Sequence, residues 1–63
     1  MSIKAIGMGM ELAHFVNENG RITDARNMEE WESEIVFEAQ EREYDEELIQ
    51  EIGEWVRNEF VPN

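Results

Sequence analysis

The side chains able to act as nucleophile or general base are few: His14, Ser2, Ser33 and Thr23, with no cysteine in the 63 residues. Catalysis needs such groups to converge in a concave pocket, and no Ser/His/Asp spacing links these four. Ser33 sits between Glu32 and Glu34, and Thr23 follows a turn-forming Asn19-Gly20 pair. A lone histidine between Ala13 and Phe15 reads as a half-buried structural residue. A chain this short also rarely encloses a substrate cavity. The expectation is a protein that is not an enzyme.

Sixteen carboxylates raise the question of a metal. Around Asn17, Asn19 and Gly20 the residues faintly resemble a calcium loop. Placing Gly20 at the loop's glycine position puts Phe15 and Arg26 at its two ends, where carboxylates are required. The pattern fails, and no cofactor or metal is expected. A helix-turn-helix can also be drawn through residues 11–23. The residues that follow are Glu29, Glu30, Glu32 and Glu34, where a DNA reader needs basic ones.

Charge is the dominant feature, and it is unevenly placed. Residues 1–28 carry Lys4, Arg21 and Arg26 against Glu11, Glu18 and Asp24. Residues 29–63 carry thirteen acids against Arg42 and Arg57. The formal net charge of −11 thus belongs to the second half. Such a surface repels nucleic acid and anionic membrane and is drawn to basic grooves. Direct nucleic-acid binding is therefore excluded. No apolar run approaches the roughly 18 residues of a membrane span. With neither a membrane span nor an export signal visible, the expected location is cytoplasmic, in a bacterium or a host cell.

The elements that position these acids read unequally well. Leu48, Ile49, Ile52, Trp55, Val56 and Phe60 fall on one helical stripe, with Asp45 as N-cap, Glu46 and Glu47 in the first turn and Pro62 as the stop. A helix is expected over 45–60, with Gly53 permitting close approach by a neighbour. Ser33 to Ala39 alternates apolar and polar in the manner of a strand, with Ile35, Phe37 and Ala39 facing inward. A rival helical reading has Asn27 as cap, Glu30 completing a capping box, and Met28, Trp31, Ile35 and Ala39 as its stripe. Glu18-Asn19-Gly20-Arg21 is the residue set of a two-residue β-turn. It equally suits a helix that ends at Gly20 in a left-handed cap. The reading preferred here is one α+β domain over 1–63: a small antiparallel hairpin or three-stranded sheet with one C-terminal α-helix. A three-helix bundle is the alternative.

In that arrangement Glu32, Glu34 and Glu38 share the outward face of a strand at roughly 7 Å intervals. Glu47, Glu51 and Glu54 line the exposed side of the helix at i, i+4 and i+7. Such rows are spaced comparably to a phosphate backbone and could occupy a groove of lysines and arginines. Met1, Met8 and Met10 fill the core or the terminus, and Trp31 and Trp55 belong to the core. An exposed Trp31 would be the anchor of a protein interface. In size and charge the chain resembles the small acidic inhibitors that bacteriophages encode against host restriction, CRISPR or transcription machinery, DNA mimics among them. That resemblance, which involves no motif, implies a partner with a basic surface, such as a nucleic-acid-binding or nucleotide-handling protein. The candidate face is Glu29, Glu30, Glu32, Glu34, Glu38, Glu47, Glu51 and Glu54, with Trp31. The competing expectation is a regulatory adaptor or antitoxin-like module that binds through apolar contacts.

Overall fold

Three α-helices, α1 (Ile3–Glu18), α2 (Met28–Glu41) and α3 (Glu46–Glu59), make up the fold of the computed structural model, which describes residues 2–59. There is no strand among the described residues, so the α+β expectation is overturned in favour of the three-helix bundle. Each helix packs against both others. Phe60 and Pro62, the expected end of the last helix, lie outside the described residues, as does Met1.

Helix α1 runs through both Gly7 and Gly9, poor helix formers, and starts just after Ser2, which caps it. The Ser2 hydroxyl accepts the Ala5 N–H at 3.1 Å from an extended backbone. Ala5, Gly9, Leu12 and Val16 recur at helical spacing and form its buried face. Gly9 lies directly against Trp55 of α3. A Cβ built there would lie 2.6 Å from Cε3 of Trp55, so the indole rests on the bare backbone of α1. Gly53, expected to play that part, has nothing nearer than 3.8 Å to such a Cβ.

The segment Glu18-Asn19-Gly20-Arg21 closes α1 and makes no hairpin. Gly20 adopts φ +68°, its N–H donates to Asn17 O, and the Arg21 N–H donates to Val16 O at 3.0 Å. These two bonds satisfy carbonyls that the helix end leaves open, the Schellman arrangement. Hairpin and cap both require a left-handed residue at Gly20, so the tetrapeptide cannot distinguish them locally. The end of α2 repeats the motif: Glu43 N–H donates to Gln40 O and Tyr44 N–H to Ala39 O. There the left-handed position, φ +58°, is held by Glu43.

Residues 33–39, expected as a strand, belong to α2. The Asn27 side chain accepts the Glu30 N–H and starts the helix, as in the rival reading. Trp31, Ile35 and Ala39 turn inward together at i, i+4 and i+8. The core comprises these three with Ala5, Leu12, Val16, Ile52 and Val56, and no polar residue among those described is buried with them. Fully burying a side chain such as Leu12 or Ile35 contributes about 1.5–3 kcal/mol. The helical stripe thus outweighs the local β preference of Ile35-Val36-Phe37.

Candidate functional site

The expected acidic face divides once the helices are in place. Five of its eight glutamates are engaged within the fold. Glu30 turns back from the first turn of α2 to the preceding loop, accepting the N–H groups of Thr23 and Asp24 at 2.9 and 2.8 Å and the Thr23 hydroxyl. It thus bonds the loop and leaves the Asn27 N–H of the expected capping box aside. These bonds, the Thr23 hydroxyl foremost, hold the Glu30 carboxyl below its ordinary value.

Glu38 bridges two arginines. One of its oxygens accepts Nη1 of Arg21 at 2.6 Å and the other accepts Nε of Arg42 at 3.2 Å. The Arg21 bond, reinforced by Arg42 and opposed by partial burial, lowers the Glu38 pKa. Arg21 also donates Nε to Glu34 at 2.9 Å. One guanidinium therefore clasps an i, i+4 pair of carboxylates on α2 from the end of α1. Its charged form is stabilised, first by Glu38 and then by Glu34. Arg42 lies over the Phe15 ring at 4.9 Å, and its pKa is raised by hydrogen bonds with Tyr44 and Glu38. Glu32 reaches across to Arg57 on α3, and Glu51 accepts the Ser2 N–H at 3.0 Å.

The outward row of Glu32, Glu34 and Glu38 therefore does not exist. At 100° per residue the helix sends Glu32 toward α3 and the other two toward Arg21. Trp31 is excluded as an exposed anchor. It is 8% exposed, with its indole N–H donating to Ala25 O at 2.9 Å. Glu29, Glu47 and Glu54 remain exposed, without a hydrogen bond or ion pair among the described residues.

Phe37 is the surface aromatic that the strand reading turned inward. It is 52% exposed, with Arg21 above its ring at 5.6 Å. The signal was present in the sequence: on the helical stripe of Trp31, Ile35 and Ala39, Phe37 falls off the buried side. With Glu29, Glu32, Ser33, Val36 and Gln40 it lines an open depression of about 450 Å³ on α2. A second depression of about 290 Å³ lies between α2 and α3, bordered by Glu32, Val36, Ile49, Gln50, Glu54 and Arg57. The two share Glu32 and Val36, so Glu29 and Glu54 border adjoining ground. His14 is exposed, 3.9 Å from Glu18, and is no core residue.

No group of three or more His, Asp or Glu side chains among the described residues could hold a metal ion. No helix among them is long and apolar enough to cross a membrane. Fold and surface together define the chain as a small acidic three-helix bundle with one exposed aromatic, among the described residues, on its charged side. It matches no family model, no curated protein and no solved structure.

Proposed function

We propose that the chain is a small acidic binding protein, not an enzyme, that presents the outer side of α2 and α3 to a basic groove of a nucleic-acid-binding or nucleotide-handling protein and occludes it. The observation that carries this reading is the placement of Phe37 beside Glu29 and Glu32, on the half of the chain that holds the whole net charge. Long-range attraction speeds the encounter, and the desolvated aromatic sets the residence time. Glu29, Glu47 and Glu54 act first, because no internal bond has to break for them to meet arginine or lysine. Glu32, Glu34 and Glu51 can join by exchanging an internal partner for one in the groove. Glu30 and Glu38 serve the scaffold.

The test is capture of proteins from a bacterial lysate on the immobilised chain, with elution by salt and by added nucleic acid. The expected partner leaves at moderate salt, is displaced by DNA or RNA, and is not held by a Glu29→Gln/Glu47→Gln/Glu54→Gln variant. A partner that stays through high salt, ignores nucleic acid and binds the triple variant equally would overturn occlusion. That result fits the second reading, a regulatory adaptor binding through apolar contacts. The exposure of Ile3, Met10 and Phe37 favours that reading.

A further inference from the structure

The outward face of α1 differs from the rest of the surface. Ile3 is 88% exposed and Met10 59%, and Gly7 between them is exposed, with open space where a Cβ would stand. On α1 itself the ionic side chains beside this stripe are Lys4 and Glu11, both exposed, with His14 and Glu18 at its end. From the other helices, Glu51 accepts the Ser2 N–H at its start and Arg42 approaches Glu11. At 100° per residue, Ile3 and Met10 lie about 40–60° to one side of Gly7, and Lys4 and Glu11 about 40–60° to the other. Two parallel lanes result, one apolar and one ionic, each with its members seven residues apart and centred close to Gly7.

We propose that this face binds a second copy of the chain, with the two α1 helices antiparallel about a two-fold axis at Gly7. A two-fold axis perpendicular to both helices and lying in the interface keeps each lane on its own flank and reverses its direction. Ile3 then meets the partner's Met10, Lys4 meets the partner's Glu11, and Gly7 meets the partner's Gly7, where the absence of a side chain permits close approach. A parallel pair exchanges the flanks and sets Lys4 against the apolar lane, so the lanes select the antiparallel form. Charge selects the face. Residues 29–63 carry the whole net charge, and opposing two such surfaces costs several kcal/mol. Across α1 the opposed charges are complementary. Glu11 is free enough to exchange partners, since its contact with Arg42 is 3.8 Å long and its side chain is 69% exposed.

The stripe from residue 3 to 14 is about 17 Å long, a contact at the small end of protein interfaces. Association should therefore be weak, with a dissociation constant on the order of 100 µM. Sedimentation of the full chain from about 10 µM to about 1 mM in about 0.15 M salt tests it. The expected mass climbs from 7.5 kDa toward twice that value. Lys4→Glu and Glu11→Lys each weaken association about tenfold, because each turns two attractions into two repulsions. The double reversal restores it. The chain has no native cysteine, so Gly7→Cys should form a disulfide dimer far faster than Glu47→Cys under the same oxidation. A monomer at every concentration overturns the proposal and leaves the face to a different partner. So do single reversals without effect, a double reversal that does not rescue, or equal cross-linking at both cysteines.

Discussion

Glu43 at the end of α2 stands where α1 has Gly20, and the comparison yields a magnitude. Both positions adopt positive φ, +58° and +68°, and both close a helix through the same pair of backbone bonds. A residue with a Cβ held in the left-handed region costs roughly 1–2 kcal/mol. Glycine removes that cost, but loosens the unfolded chain by about 0.4–1 kcal/mol. Glu43→Gly should therefore stabilise the fold by about 1 kcal/mol, and raise Tm by about 4–8 °C in a domain of this size. The substitution also deletes a negative charge from an overcharged molecule, which by itself raises Tm. Glu43→Gln separates the two effects, since it deletes the charge and keeps the Cβ. Thermal unfolding followed by helical circular dichroism at low micromolar concentration is the assay. Glu43→Gly is expected to melt above Glu43→Gln by most of the full shift, and Gly20→Ala to melt below the parent by a similar amount. Equal melting of the glycine and glutamine variants would refute the assignment of backbone strain to Glu43.

Three further outcomes follow from the packing and the charges. Gly9→Ala drives a methyl into the Trp55 ring and should cost about 1–3 kcal/mol; Gly53→Ala meets only ordinary contacts and should gain up to about 1 kcal/mol in helix propensity. Denaturant unfolding that ranks them the other way would contradict the α1–α3 contact. Glu38 has a folded pKa below its ordinary 4.5, so the unfolded chain binds more protons between the two values. Its contribution is full above that ordinary value and drains as pH falls through the folded one, so the stability gap between the parent and Glu38→Gln should close on acidification. At about 0.01 M salt the Debye length, near 30 Å, exceeds the molecule's 27 × 25 × 15 Å extents, whereas at about 0.15 M it is about 8 Å. Tm should rise over that range as repulsion is screened; a fall would mean that the arginine bridges outweigh the uncompensated acids.

What the sequence revealed depended on how many residues each signal spans. The stripe from Leu48 to Val56 extends over more than two turns, and helix α3 follows it. The hairpin and strand readings rested on four and seven residues, and both lost to tertiary packing. Glu18 to Arg21 is compatible with a hairpin or a helix cap because both need Gly20 left-handed. Ile35-Val36-Phe37 is β-like in local preference, and a strand would bury Phe37 beside Ile35 and Ala39; only a helix buries Trp31, Ile35 and Ala39 while turning Phe37 outward. The site was half visible for the same reason. The charge asymmetry is a property of composition and needs no fold. Which acids face solvent depends on helical phase and on three arginines, Arg21, Arg42 and Arg57, whose hydrogen-bonded carboxylates lie 4 to 25 positions away.

The division among the acids also gives a way to separate binding from folding. Glu30 and Glu38 accept hydrogen bonds within the molecule, so neutralising them removes contacts and should destabilise it. Glu29, Glu47 and Glu54 make no such contact among the described residues, so neutralising them relieves repulsion. Lost dipole stabilisation at Glu29 and Glu47, in the first turns of α2 and α3, offsets part of that gain, and Tm should stay close to the parent's or above it. A surface charged for solubility alone needs no particular set of positions, since any dispersed net charge of this size keeps a small domain in solution. If partner binding is lost in the triple variant while Tm holds or climbs, those three carboxylates are contact residues whose presence strains the fold. If binding instead tracks Tm across both groups, the acids act through the scaffold, and the contact lies elsewhere, with Phe37 or the α1 face as the next surface to substitute.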